Sequence, residues 1–178
     1  VHGNETPGIE VANELVKKLK VLKGNVYFIY SNLKAIKEKK RFIECNLNRC
    51  FLNKLNKKLE GKTAKEIMKI LDRCESSLDV HASNTKKSIP FVICNENSFD
   101  LAREIPVKIV SYNWDKYEPG SSESYMYRKG KKAISIECGY IDDKKSILNA
   151  KKAIIAFLKY YGSLEGKNFK SKKDYIKI

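Results

Sequence analysis

Two neighbouring stretches, "KAISIECG" (residues 132–139) and "ILNAKKAIIAFLKYY" (residues 147–161), decide the class of fold. The first is short and apolar with two isoleucines, which predicts a largely buried strand. The second brings Ala150, Ala153, Ile154, Phe157 and Leu158 onto one face at three- and four-residue steps, which predicts an amphipathic helix. Working outward, "SLDVH" (77–81), "IPFVIC" (89–94) and "VKIVSY" (107–112) read as further strands, as does "NVYFIYS" (25–31) between turn residues. Helical spacing recurs over residues 6–22, where Gly24 supplies the stop, and again from Thr63 as N-cap toward Cys74. A short helix is expected at 97–103, an irregular segment at "RFIECNLNRCF" (41–51) and a long surface loop at 113–132. Strands that alternate with helices predict an α/β fold with a mostly parallel or mixed sheet covered on both faces.

Composition narrows the function. With 178 residues, 42% of them hydrophobic, the chain is expected to form one domain over residues 1–178. No run reaches the roughly 18 apolar residues of a membrane span, and the start has no signal-peptide pattern, so a soluble cytoplasmic protein without a membrane partner is expected. Cys45, Cys50, Cys74, Cys94 and Cys138 form no C-x-x-C pair, which argues against a thiolate zinc site and a disulfide framework. The net charge of +15 favours anionic partners. Its lysines are nevertheless spread along the chain and end in five between Lys167 and Lys177, without any recognisable nucleic-acid module. Charge alone therefore supports the steering of an acidic substrate.

The chemistry gathers in four places. "VHGNETPGIE" (1–10) sets His2 three residues before Glu5, and the only other histidine, His81, ends "SLDVH". Two imidazoles and one carboxylate suit a catalytic zinc that keeps a fourth position for water, although a bare His-x-x-Glu also serves as an ordinary turn before a helix. Arg41, Asn48 and Arg49 share one segment and offer forked donors to a carboxylate, or simply surface charge. Glu137 lies in an otherwise apolar strand, where burial would raise its pKa for proton transfer, the alternative being a strand-end ion pair.

In order and spacing, "VHGNETPGIE", "RFIECNLNRCF", "LDVH" and "AISIECG" resemble the aspartoacylase and succinylglutamate desuccinylase family of the zinc carboxypeptidase superfamily, over residues 1–139. The resemblance implies a three-layer carboxypeptidase-like fold with a central mixed sheet flanked by helices. It implies one zinc per chain on His2, Glu5 and His81, and Glu137 as general base toward a zinc-activated water. Arg41 would polarise the scissile carbonyl, and Asn48 and Arg49 would grip a substrate carboxylate. The implied activity is an amidohydrolase, a deacylase of N-acyl amino acids or similar small anionic amides. A metallocarboxypeptidase acting on peptides is the alternative, and a non-catalytic basic domain binding acidic ligands or nucleic acid is the reading from another class.

Relatives in this family carry a strand ahead of the first motif and often a C-terminal β-rich domain, neither of which is apparent within these residues. A substrate-binding arginine is expected shortly before the catalytic glutamate. Arg128 is the candidate, with Lys129, Lys131 or Lys132 as substitutes. Ser83 and Asn84 are placed to line the site, and Trp114 and Tyr125 belong either to a lid or to the packing of the loop.

Overall fold

The computed structural model describes residues 1–52, 55–168 and 172–178. Lys170, one of the five lysines of the C-terminal run, lies outside the described residues. Five strands form one mixed sheet: β1 (Ser76–Ser83), β2 (Phe91–Cys94), β3 (Ile109–Tyr112), β4 (Lys132–Tyr140) and β5 (Asp174–Lys177), in the order β1-β4-β2-β3-β5. β4 pairs parallel with β1 and antiparallel with β2, while β2, β3 and β5 run parallel to one another.

Period-two alternation along β4 divides the core. Ile134, Ile136 and Cys138 pack with Val11 and Leu15 of α1 (Thr6–Lys18), Leu101 and Ala102 of α4 (Phe99–Glu104), and Ala150, Ala153 and Ile154 of α6 (Lys144–Tyr160). Ala133 joins a second cluster with Ala64, Ile67 and Met68 of α3 (Leu59–Leu71), Met126 of α5 (Ser122–Arg128), and Leu47 and Phe51. Two helical layers thus cover the sheet. Glu137 falls in the Ala133 series of β4, opposite the Ile134 series, and pairs in register with His81 of β1. A parallel pairing of this kind points both side chains to the same face. Among the described residues no helix is long and apolar enough to cross a membrane.

Several expected elements are corrected. "NVYFIYS" belongs to no strand: residues 23–30 make no backbone–backbone hydrogen bond among the described residues. A groove of about 1180 Å³ is lined both by this segment and by residues 76–80 of β1, and Val26 and Phe28 pack on the core although their β-propensity finds no ladder. α1 stops at Lys18 because Leu19 turns to extended backbone, and Leu22 N then bonds to Ser163 O. α3 begins at Leu59, and Thr63 lies inside it with its hydroxyl on Leu59 O, so it is not the N-cap. Within 113–132 the expected loop contains α5, whose N-cap Ser121 accepts from Ser124 N. β5 was unexpected in the polar C-terminal run.

Candidate active site

His2 to Glu5 form a tight turn before α1, closed by Glu5 N on His2 O and tethered by Gly3 N on Arg41 O, both at 3.3 Å. Only glycine fits at position 3, because a Cβ there would sit 2.2 Å from the Ala35 carbonyl carbon. Glu5 is the N-cap residue of α1, yet its side chain makes no capping bond. Its carboxylate instead links the two imidazoles: Oε1 lies 2.7 Å from His2 Nδ1, and Oε2 lies 2.9 Å from His81 Nδ1 and accepts from Ala82 N at 3.2 Å. One possible ligand atom from each of His2, Glu5 and His81 lies within 4.8 Å of the others. All three side chains are buried, with exposures of 5, 4 and 4%, so their charges must be balanced from inside.

The local field is strong and uneven. Burial opposes the charge on Glu5, but hydrogen bonds from His2 and His81 hold its carboxyl well below the usual range. Burial would also discharge His81, but Asp79 and Glu5 outweigh it and push its pKa up to about 10. For His2 burial wins over Glu5, and its pKa falls. Asp79 Oδ2 stands 3.1 Å from His81 Nε2, off the line of a good hydrogen bond, and accepts from Ser122 Oγ at 2.8 Å.

Glu137, half-buried beside His81, has its pKa raised chiefly by burial, with His81 pulling the other way. Among the described residues its carboxylate has no hydrogen-bond or ion-pair partner, so the expected alternative of a strand-end ion pair is not what is found.

The 41–51 segment is irregular apart from the 3-10 turn Leu47–Arg49, and of its predicted site residues Arg41 reaches the cluster directly. Arg41 Nη1 donates to Glu5 Oε1 at 2.7 Å while its side chain stays 43% exposed. Asn48 is buried, with Oδ1 accepting from Ser122 N at 3.0 Å. Arg49 donates to Asn48 O at 2.8 Å and pairs with Glu118. Arg128 is set apart: it is exposed at the end of α5, with its guanidinium on Pro119 O at 2.6 Å, and among the described residues no hydrogen bond or ion pair joins it to His2, Glu5 or His81. The lysines considered beside it are engaged elsewhere, Lys129 with Asp72, Lys131 with the Leu71 and Asp72 carbonyls, and Lys132 with Asp100. Asn84 lies close to the first motif, accepting from Asn4 Nδ2 at 3.3 Å. Trp114 Nε1 donates to Ser111 Oγ at 2.8 Å, and Tyr125, partly buried against the second cluster, donates to Asp72 at 2.7 Å.

Sequence reasoning missed three supporting residues. Asn46 Oδ1 meets His2 Nε2 at 2.8 Å. Asp79 stands two residues before His81 on the same face of β1, a spacing that could have drawn attention to it. Glu60 of α3 is fully buried and accepts from the backbone N–H groups of Ile43, Glu44 and Cys45. The last signal was invisible, because a glutamate in a lysine-rich helix reads as surface.

The donor set fits a divalent cation of the zinc type, with two imidazole nitrogens and one carboxylate. His2 faces oxygen acceptors on both nitrogens, Glu5 Oε1 and Asn46 Oδ1. A neutral imidazole carries one N–H, so one of those contacts calls for a second proton or for a cation.

Comparison with known proteins places this geometry. Residues 1–161 match the family model of the succinylglutamate desuccinylase/aspartoacylase catalytic domain. Succinylglutamate desuccinylase of Shewanella frigidimarina (strain NCIMB 400) is 47% identical over 55 residues, which make up 29% of this chain and 16% of that protein. The enzyme of the same name from Photorhabdus laumondii subsp. laumondii is 33% identical over 93 residues, 48% of this chain and 29% of the relative. In three dimensions the product-bound ectoine utilization protein EutE (DoeB) from Ruegeria pomeroyi superposes with a TM-score of 0.86 at 19% identity, over 99% of this chain and 60% of that one. The chain therefore covers less than two thirds of the length of each of these relatives, and the structural likeness establishes a carboxypeptidase-like fold.

Proposed function

Because the chain belongs to the succinylglutamate desuccinylase/aspartoacylase family, we propose that it is a zinc-dependent deacylase that hydrolyses the amide bond of an N-acyl amino acid or a similar small anionic substrate. The observation that carries this reading is the buried convergence of His2, Glu5 and His81, with the carboxylate of Glu137, unpartnered among the described residues, in register beside His81. His2, Glu5 and His81 would hold one zinc ion. Bound there, zinc supplies Lewis acidity that activates water and polarises the acyl carbonyl.

The remaining steps belong to the chain. Glu137 is held by burial at a raised pKa, which suits a group that takes a proton from water and returns it to the departing amine nitrogen. Arg41 is poised at the rim of the cluster, on Glu5 and yet partly exposed, where its guanidinium can meet the developing oxyanion. Asn48 keeps its Nδ2 donor while Ser122 engages its Oδ1, and a substrate carboxylate would take the place of Glu118 on the Arg49 guanidinium beside it, so that the two residues orient it. The net charge of +15 draws such an anion toward the site. The names of the curated relatives point to N-succinylated glutamate as the first substrate to try.

The test pairs zinc analysis of the purified chain with assays on N-succinyl and N-acetyl amino acids. About one zinc per chain, lost in His81→Ala, together with release of the free acid, is the expected result. Hydrolysis only of peptides with a free C-terminus would replace the reading with a carboxypeptidase. Absence of zinc after supply of the metal would overturn it.

A further inference from the structure

We propose that Asn46 is the positioning residue that sets His2 for metal binding, its side-chain oxygen fixing the Nε2–H tautomer so that the Nδ1 lone pair is the one turned toward Glu5 and His81. This inference rests on the reading of those three residues as a metal site.

The identity of the atom facing His2 follows from its other contact. Asn48 N lies 2.9 Å from the same Asn46 atom, and a backbone N–H can only donate. That atom is therefore the carbonyl oxygen. His2 Nε2, 2.8 Å from it, must be the donor in this pair. A neutral ring that donates from Nε2 has its lone pair on Nδ1, and Nδ1 is the nitrogen that lies in the cluster, 2.7 Å from Glu5 Oε1. The bond from Asn48 N makes Asn46 the N-cap of the 3-10 turn Leu47–Arg49, so one amide oxygen serves both the turn and His2. The same side chain thus ties the orientation of His2 to the segment that carries Asn48 and Arg49.

The two imidazoles are supported differently. His81 has a carboxylate, Asp79, near its outer nitrogen, whereas His2 has a neutral amide. Asn46 orients its ring without adding charge to a buried cluster that already holds Glu5 and Asp79. Outer hydrogen-bond partners of metal-bound histidines commonly contribute about 10- to 100-fold in metal affinity.

The test separates orientation from loop folding with two variants. In Asn46→Ser a hydroxyl can still cap Asn48 N but is too short to reach His2 Nε2, while Asn46→Asp keeps an acceptor in place. Zinc affinity would be measured by competition with a chromophoric chelator, and the His2 tautomer by imidazole ¹⁵N shifts in the zinc-loaded protein. The expected result is a loss of about 10- to 100-fold in zinc affinity for Asn46→Ser, with unchanged melting of the zinc-free chain. Asn46→Asp should bind at least as well as the wild type and retain the Nε2–H signature. Wild-type affinity in Asn46→Ser, or an Nδ1–H signature in the wild type, would overturn the role of Asn46 and leave the metal site standing. A wild-type chain that takes up no zinc would overturn both.

Discussion

Replacing Glu60 by glutamine should cost this protein a large share of its stability. The carboxylate is fully buried and accepts four N–H hydrogen bonds, Oε1 from Ile43 N at 2.7 Å and Asn32 Nδ2 at 3.2 Å, Oε2 from Glu44 N and Cys45 N at 3.2 Å each, besides a longer one from the Cys45 thiol. An amide keeps one of these oxygens and presents an NH₂ group where the other stood. Whichever way it turns, two donors lose their acceptor. Each buried donor left unsatisfied costs about 1–3 kcal/mol, so Glu60→Gln is expected to lose about 2–6 kcal/mol, against a typical domain stability of about 5–15 kcal/mol. Urea unfolding at neutral pH measures this directly. The pH dependence gives an independent check, because the folded-state pKa of Glu60 is depressed: burial acts against this, but the donated hydrogen bonds prevail. The stabilisation is present above the unfolded carboxyl pKa and lost as pH falls through the folded value, so the variant should show a shallower acid loss than the wild type. A change below about 0.5 kcal/mol would refute the reasoning and show that the 41–51 segment is held by other means.

Glu137→Gln should retain zinc but lower deacylation by about 10²- to 10⁴-fold, as measured by steady-state assay of the metal-loaded protein; activity within a few-fold of the wild type would exclude Glu137 as the proton carrier. Gly3→Ala should weaken zinc binding and lower the melting temperature, since the added methyl carbon meets the Ala35 backbone at 2.2 Å and must displace the turn that carries His2; calorimetry with and without zinc would read both effects. Glu123 is buried in the first turn of α5 with its pKa pushed up to about 7 by burial, despite a hydrogen bond from Asn95 at 2.7 Å. In the native state it binds its proton more tightly than in the unfolded chain, so this group makes stability fall as pH rises from its unfolded pKa to about 7. Glu123→Gln should therefore be more stable than the wild type at about pH 8, by on the order of 1–3 kcal/mol in urea, and equal stability there would contradict the shift.

The sheet and its helices were legible where one periodicity held long enough, as in β4 and α6, whose apolar spacing matches the faces they bury. "NVYFIYS" shows the limit of propensity: the residues favour a strand, but a strand is made by its neighbour, and no local pattern records whether that neighbour is present. The serine-rich 113–132 stretch misled for another reason. Serine favours turns and helix N-caps for the same hydrogen-bonding cause, and here Ser121 caps a helix that buries Glu123 and Met126. Candidate ligands could be picked from the sequence because metal chemistry restricts residue type and spacing at once. The residues that support them obey only a distance in space: Asn46 lies 44 positions from His2, and Glu60 lies 15 to 17 positions from the backbone groups it holds. Any segment the fold brings near can supply such an acceptor. A buried carboxylate that collects backbone donors, as Glu60 does, is therefore a better pointer to where a functional segment is anchored than any feature of that segment's own sequence.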